Sequence, residues 1–183
     1  AMKLAGVSEI ISVSAVGSLR EHIAPGDFVL VDQFVDRTRE RDSTFFDGPV
    51  VAHVSVADPV CNSLRSRLSK ACDQQGITTH EKGTYLVMQG PQFSTRAESE
   101  LYRSWGMDVI GMTNMPEAKL AREAEICYTT VAMSTDYDCW REGEESVTWE
   151  MILETMKRNA DSVIQLFLRS LPKIEKYEAV CVR

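Results

Sequence analysis

The stretch Ile126-Cys127-Tyr128-Thr129-Thr130-Val131-Ala132-Met133 runs directly into Ser134-Thr135-Asp136-Tyr137-Asp138. A run of apolar and β-branched residues of this length is typical of a strand that is buried on both faces of a sheet. Because ligands of open α/β sheets bind beyond the carboxyl ends of the strands, Asp136 and Asp138 are the first candidate site residues. The same spacing is also typical of two turn or capping aspartates before a helix.

Strand-like and helix-like patterns alternate through the rest of the chain. The predicted strands cover residues 9–13, 28–31, 77–79, 84–88 and 108–112. The predicted helices cover residues 58–75, 96–101 and 117–124, and a long amphipathic helix begins near Thr148 and stops at Pro172. The alternation predicts a single α/β domain over residues 1–183, with a mixed, mostly parallel sheet flanked by helices.

Composition argues against several classes of function. The 183 residues carry a net charge of −7 and no block of Lys and Arg, which argues against binding to nucleic acid. No apolar run reaches the roughly 18 residues of a membrane helix, and no signal peptide is recognisable. The five cysteines are scattered without a CxxC pair, so we expect a cytoplasmic protein without a metal site or a membrane partner.

Other residues are weaker candidates when taken singly. Phe93 follows a predicted strand, where it could stack on a planar ligand or pack in the core. His53 lies in a strand-like stretch, residues 51–55, where a structural role is the commoner one. The small residues of Ser14-Ala15-Val16-Gly17 follow the first strand and could bring backbone amides close to an anion, or form an ordinary tight turn.

The first residues have the pattern of the last turn of a helix. Ala1 to Val7 is a short apolar segment in which Gly6 is a typical stop signal. A folded domain rarely begins on such a turn, so we expect the chain to be an N-terminally truncated form of a longer protein.

Several stretches together resemble the purine nucleoside phosphorylase superfamily and, within it, the methylthioadenosine phosphorylases. They are Ser14-Ala15-Val16-Gly17-Ser18-Leu19, Pro25-Gly26-Asp27, Phe45-Phe46-Asp47-Gly48, Gly90-Pro91-Gln92-Phe93-Ser94-Thr95-Arg96-Ala97-Glu98, Gly111-Met112-Thr113 and Thr135-Asp136-Tyr137-Asp138-Cys139-Trp140. The resemblance implies a nucleoside phosphorylase-like fold. It also implies phosphorolysis of 5′-methylthioadenosine to adenine and 5-methylthioribose 1-phosphate, with inorganic phosphate as co-substrate and no cofactor.

The resemblance also implies roles for the two acids. Asp136 faces the imidazole nitrogen of adenine opposite the sugar bond and supplies a proton as charge builds on the leaving base. At neutral pH this requires a raised pKa, which burial and a like-charged neighbour favour. Asp138 accepts a hydrogen bond from the exocyclic amine, which favours a 6-aminopurine over a 6-oxopurine.

Further roles follow from the same resemblance. Phe93 and Ser94 contact the base, Met112 lies under the ribose, and Thr113 and Ser14, with the amide of Ala15, bind phosphate. The remaining implied contacts are an apolar pocket for the methylthio group, formed by Trp149, Ile152 and Leu153, and a histidine, His53, that reaches into a neighbouring subunit of a homotrimer.

The sequence departs from the superfamily pattern at the phosphate site. The strand with its Gly-Gly-Thr-Gly loop and the Arg-His-Gly stretch, both of which bind phosphate in the family, have no counterpart here. The resemblance therefore implies that the N-terminal strands of the family are missing. Two alternatives stay open: a non-catalytic adenine-nucleoside binder or assembly module, and a phosphorylase with another base preference.

Overall fold

The structure is a computed structural model that describes residues 1–141 and 149–170. The side chains of Trp149, Met151, Ile152, Arg158 and Ser170 lie outside the description. The described residues form seven strands, β1 (Glu9–Ser18), β2 (Phe28–Leu30), β3 (Gln33–Asp36), β4 (Thr79–His80), β5 (Thr84–Val87), β6 (Val109–Gly111) and β7 (Cys127–Asp136). They also form four helices, α1 (Asn62–Gln74), α2 (Arg96–Ser104), α3 (Glu117–Glu123) and α4 (Trp149–Ser170).

All the described strands belong to one sheet, in the order β3-β5-β6-β1-β7-β2-β4. Neighbouring strands are parallel except at two places, where β1 pairs with β6 and β2 pairs with β7. The predicted mixed, mostly parallel sheet is thereby confirmed. The long parallel pairing of β1 with β7, from Glu9 against Cys127 onward, forms the centre of the sheet.

Strand β7 is buried on both faces, as its apolar sequence predicts. Alternate side chains enter two different core clusters, because successive residues of a strand point to opposite faces. Tyr128 and Ala132 pack in the cluster that includes α3, whereas Val131 and Met133 pack in the cluster that includes α1 and α4. The strand is therefore fixed from both sides up to the residues that precede Asp136.

Helices α1 and α4 cover the same face of β7. The sequence predicts an apolar stripe of Val60, Leu64, Leu68 and Cys72; the last three are buried on α1, and Val60 is buried just before the helix begins. Helix α4 is joined to the end of β7 by the side-chain amide of Asn159, which donates to the carbonyl of Ser134 at 3.2 Å. None of the described helices combines the length and apolar character needed to cross a membrane.

The structure corrects several predicted boundaries. Strand β1 continues to Ser18, so Ser14 and Ala15 lie within the strand and do not form a turn after it. Strand β3 was not predicted, because its four residues lie next to a polar loop. The strand predicted around His53 is absent, and residues 51–55 are irregular and largely exposed. Residues 2–6 form a hydrogen-bonded turn that includes Gly6 at φ +80°.

The long loop after β3 is anchored by one arginine. The guanidinium of Arg41 donates to the carbonyls of Met112 at 3.0 Å, Met115 at 2.6 Å and Gln89 at 2.9 Å. These carbonyls follow β5 and β6, so Arg41 holds the loop over the ends of both strands. At this point the loop is therefore fixed to the sheet.

The sequence predicts Ser94 or Thr95 as the capping residue of α2, and in the structure it is Thr95. The Thr95 hydroxyl accepts from the Glu98 amide at 3.2 Å, and the Glu98 carboxylate accepts from the Thr95 amide at 2.7 Å. We expect Thr95→Ala to lower the free energy of unfolding by about 1 kcal/mol, because the first turn loses its cap. Urea denaturation measures the change.

Ser104→Ala is the matched control for this prediction, because its hydroxyl lies exposed at the other end of α2. Equal unfolding free energies for Thr95→Ala and Ser104→Ala would contradict a stabilising role of the cap.

Candidate active site

The acid pair, defined as Asp136 and Asp138, lies where β7 ends. Pairing with β1 is regular from Cys127 to Ser134 and then shifts, so that Val16 faces Ser134 but Gly17 faces Asp136. Thr135 is therefore an extra residue, a β-bulge. Bulges change the direction of the side chains that follow them. Because of the bulge, the side chain of Asp136 does not follow the alternation of side-chain directions that the buried part of the strand shows.

The close approach of β1 to the acid pair depends on Gly17. A Cβ atom at this position would lie 3.1 Å from Oδ1 of Asp136 and 3.3 Å from Cβ of Asp138. It would also lie 3.2 Å from Cγ2 of Ile110 on β6. Contacts this short are tighter than most Cβ contacts in proteins, so a side chain at this position would make Ile110 or the acid pair move by a few tenths of an ångström.

Two hydroxyls hold the carboxylate of Asp138. Ser94 donates towards both oxygens, at 3.1 Å to Oδ1 and 3.0 Å to Oδ2. Ser99, on α2, donates to Oδ2 at 2.5 Å. The backbone of Asp138 is left-handed, with φ +53°, and its amide donates to Oδ1 of Asp136 at 2.8 Å. The two acids therefore form one hydrogen-bonded unit, and Ser94 lies against it.

The hydroxyl of Thr135 faces two acceptors. Its oxygen lies 3.1 Å from the carbonyl of Val16 and 2.6 Å from Oδ2 of Asp136. A hydroxyl has one hydrogen, so it cannot donate to both atoms when Asp136 is ionised. If Asp136 is protonated on Oδ2, it donates to Thr135, and Thr135 donates to Val16. The geometry thus accommodates a neutral Asp136 with every one of these bonds made.

The thiol of Cys139 lies beside the acid pair. Its sulfur lies 3.5 Å from the carbonyl of Ser94 and 4.0 Å from Oδ2 of Asp138. Burial raises the pKa of the Cys139 thiol, and the charge of Asp138 raises it further. The residue is therefore a weak donor at neutral pH and not a thiolate nucleophile.

A second polar group, the hydroxyl cluster of Ser14, Tyr85 and Thr113, lies where β6 ends. Ser14 Oγ is 2.7 Å from Thr113 Oγ1 and 3.0 Å from the Tyr85 hydroxyl. Burial raises the pKa of the Tyr85 phenol, so it remains a hydrogen-bond donor at neutral pH. Gly111 makes room for it, because a Cβ there would lie 2.2 Å from the Tyr85 oxygen.

Asn114, which is buried, orients the Thr113 hydroxyl of this cluster. Its side-chain oxygen accepts from Thr113 at 2.9 Å, while its amide nitrogen donates to the hydroxyl of Tyr128 at 2.8 Å and to Thr130. The Tyr128 hydroxyl in turn donates to Glu117 at 2.7 Å, and burial raises the pKa of this phenol. The chain of bonds therefore determines which way the amide of Asn114 points.

The remaining predicted site residues differ in how far the structure describes them. Phe93 is 61% exposed, so it is not a core residue, and His53 is exposed in the loop before α1. Met112 is half-buried, and it packs against Gly90 so closely that a Cβ atom on Gly90 would lie 2.5 Å from the Met112 sulfur. Leu153 is 37% exposed on α4. The side chains of Trp149 and Ile152 lie outside the described residues.

Sequence reasoning missed the residues that support the candidates. Ser99 and Tyr85 are single polar residues within a helix and a strand, and nothing in their spacing separates them from surface positions. Gly17 and Thr135 were within quoted motifs, but a bulge cannot be recognised without the partner strand. In residues 1–141 and 149–170, no three His, Cys, Asp or Glu side chains form a group that could hold a metal ion.

The chain matches known proteins over most of its length. A model of the phosphorylase superfamily matches residues 1–172. The S-methyl-5′-thioadenosine phosphorylase of Koribacter versatilis is 55% identical over 174 residues, which are 93% of this chain and 60% of that protein. The enzyme of the same name from Thermofilum pendens is 52% identical, over 100% of this chain and 70% of that protein. The chain spans about three fifths of the length of the curated relatives it matches.

Solved structures agree with this assignment. A methylthioadenosine phosphorylase from an Antarctic soil metagenomic library superposes with a TM-score of 0.93 at 47% identity, over 100% of this chain and 65% of that one. The methylthioadenosine phosphorylase of Schistosoma mansoni, in complex with adenine, superposes with a TM-score of 0.90 at 34% identity, over 94% and 67% of the two chains. The chain therefore belongs to the phosphorylase superfamily and, within it, to the family of S-methyl-5′-thioadenosine phosphorylases.

Proposed function

We propose that this chain carries the base-binding and catalytic acids of an enzyme that cleaves 5′-methylthioadenosine with phosphate, giving adenine and 5-methylthioribose 1-phosphate. The observation that carries the proposal is the acid pair at the end of a buried strand: the Asp138 amide joins that residue to Asp136, and Ser94 and Ser99 hold the Asp138 carboxylate. Inorganic phosphate is the co-substrate, and the reaction needs no cofactor. The relatives that match the chain carry the name of this activity.

Asp136 is the proposed proton donor to the leaving base. Phosphorolysis leaves electrons on the imidazole ring of adenine, and a neutral carboxylic acid placed there stabilises the developing charge. The two acceptors around the Thr135 hydroxyl support this role, because all the bonds are made when Asp136 carries a proton. When this proton passes to a ring nitrogen, the Thr135 hydroxyl can turn from Val16 and donate to the newly ionised Oδ2.

Asp138 is the proposed selector of the base. An ionised carboxylate only accepts hydrogen bonds, so it favours the 6-amino group of adenine and disfavours the 6-oxo group of hypoxanthine. Ser94 is close enough to Asp138 to contact the same edge of a purine, and the exposed ring of Phe93 is available to stack on it. These contacts together describe a site for a 6-aminopurine.

The hydroxyl cluster is the proposed part of the phosphate site, with Thr113, Ser14 and the amide of Ala15 as contacts. Ser14 precedes Gly17 by three residues on β1, so the cluster and the acid pair lie within about 10 Å of each other along that strand. Thr113 is exposed, and its hydroxyl can donate to a phosphate oxygen when it turns away from Asn114. Met112, next to Thr113, is the proposed contact to the ribose.

The proposed enzyme is a cytoplasmic homotrimer with sites at the subunit interfaces. Exposed apolar side chains concentrate around His53, and such patches mark interaction surfaces. They are Phe45, Phe46, Val50, Val51, Val54 and Val56.

His53 is the proposed contact to a neighbouring site, while Trp149, Ile152 and Leu153 form the proposed methylthio pocket. Cys61 and Cys72 form no disulfide bond in the described part of the chain, which suits a reducing cytoplasm. Sedimentation velocity tests the trimer, and a monomer at micromolar concentration would contradict it.

Release of adenine from methylthioadenosine tests the proposed reaction. Adenine and the sugar phosphate should appear in equal amounts, and only when phosphate is present. Calorimetry with adenine, with and without phosphate, is run on the same protein. Adenine binding that is indifferent to phosphate, without release, would favour the non-catalytic binder, and a folded chain that binds no adenine would refute both functions.

Tyr85→Phe tests the hydroxyl cluster. When the phenol donates to Ser14, the hydrogen of Ser14 is left for a phosphate oxygen, whereas the hydrogen of Thr113 goes to Asn114. We expect the variant to need roughly three to ten times more phosphate for half-maximal adenine release, with an unchanged requirement for nucleoside. Tyr102→Phe, in a different core cluster, is the control. An equal effect on both substrates would assign Tyr85 to general stability instead.

A further inference from the structure

The two hydroxyls that hold Asp138 have different surroundings. Ser99 is fully buried on α2, whereas Ser94 is half-exposed in the segment before that helix. Ser99 makes one short bond, 2.5 Å to Oδ2, and Ser94 divides its contact between the two oxygens at 3.0 and 3.1 Å. One hydroxyl is therefore a fixed donor, and the other is free to turn towards a ligand.

A bound adenine changes which hydroxyl can serve the carboxylate. The ring nitrogens at the edge of adenine accept hydrogen bonds, and Ser94 has one hydrogen to give. When Ser94 donates to the base, it no longer donates to Asp138. Ser99 cannot follow, because it is enclosed in the protein, so it is the donor that stays on Oδ2 while Oδ1 faces the ligand.

We infer, on the basis of the proposed function, that Ser99 is a positioning residue for base selection: it fixes the rotation of the Asp138 carboxylate so that Oδ1 accepts from an exocyclic amine. Its placement follows from α2 itself, since its amide closes the first helical turn on the carbonyl of Thr95 at 2.9 Å. Ser99 and Tyr102 are the buried residues of this otherwise exposed helix. A buried hydroxyl needs a partner, and here the partner is the carboxylate.

The effect of Ser99 must therefore depend on the ligand. Adenine carries the exocyclic amine, and purine is the same heterocycle without it. Loss of the Ser99 hydroxyl lets the carboxylate rotate, which weakens the contact to the amine and leaves the contacts to the rings unchanged. A role that only stabilises α2 would weaken the binding of both ligands alike.

A double-mutant cycle of Ser99→Ala and Asp138→Asn tests the inference, with adenine and purine binding measured by calorimetry on the whole chain. We expect Ser99→Ala to weaken adenine binding about tenfold and purine binding less than about twofold. In the Asp138→Asn background, Ser99→Ala should no longer weaken adenine binding, because the carboxylate that accepts from the exocyclic amine has been replaced by an amide.

Two further variants separate positioning from folding. Ser99→Cys keeps the size of the side chain but replaces a strong donor with a weak one, and it should reproduce the selective loss of adenine binding. Ser104→Ala, at the exposed end of α2, should bind adenine as the unsubstituted chain does. Equal losses for adenine and purine, or a full tenfold loss in the Asp138→Asn background, would overturn the inference.

The same titrations distinguish a failure of the proposed function from a failure of the role inferred for Ser99. If the unsubstituted chain binds neither adenine nor purine, the proposed function fails and the role of Ser99 fails with it. If the chain binds adenine but Ser99→Ala shows no selectivity, only the positioning role is overturned.

Discussion

Asp136→Asn is expected to slow adenine release from methylthioadenosine by about 10²- to 10⁴-fold, the range that general acid catalysis supplies. An asparagine amide can still donate a hydrogen bond to a ring nitrogen, so it retains part of the binding. It cannot transfer a proton, so the developing charge on the leaving base stays uncompensated. The loss should therefore appear in the rate of the chemical step and leave adenine affinity within about threefold.

Single-turnover measurements with excess protein report this step directly, and calorimetry reports the affinity. Asp73→Asn is the matched control, because it removes the same charge from an exposed position on α1. A rate within threefold of the unsubstituted chain would refute the role of Asp136 as proton donor. A parallel loss of rate and affinity would make Asp136 a binding residue.

Asp138→Asn should have the second large effect, on the choice of base. The two serine hydroxyls beside Asp138 are donors, so they would hold the carbonyl oxygen of an asparagine amide. Its NH₂ group would then face the ligand and donate to the 6-oxo group of hypoxanthine. We expect the affinity ratio of adenine to hypoxanthine to fall by roughly 10- to 100-fold, partly by loss of adenine binding and partly by gain of hypoxanthine binding.

Competition between the two bases in one titration measures this ratio most directly. The unsubstituted chain and Asp73→Asn should share the same preference for adenine. An unchanged ratio in Asp138→Asn would mean that Asp138 does not read the amine. A chain that prefers hypoxanthine before any substitution would support the phosphorylase with another base preference.

The sequence predicted the parts of the fold that depend on local pattern. The apolar runs of β5 and β7, the stripe of α1 and the cap at Thr95 each follow from residue type and spacing. Strand β3 and the extension of β1 past Val13 were missed. They are stabilised by hydrogen bonds to distant strands, and short or polar segments carry no periodic signal of such pairing.

In the candidate site, the acids and hydroxyls were predicted, but the groups that support them were not. The acids at the end of β7 could be found, because two carboxylates after a buried strand form an unusual pattern. Ser99 and Tyr85 act through contacts across 39 and 71 residues of chain, to Asp138 and Ser14 respectively. Such contacts depend on how α2 and β5 pack against the rest of the sheet, which one sequence does not specify.

The extra residue at Thr135 has a consequence for how the protein can diversify. Before the bulge, side chains of β7 are committed to the interior, and exchanges there alter folding. After it, Asp136 and Asp138 are the side chains proposed to meet the ligand, whereas Trp140 returns to the core. On that proposal, selection can explore new ligand preferences at these two positions while the rest of the domain is inherited unchanged.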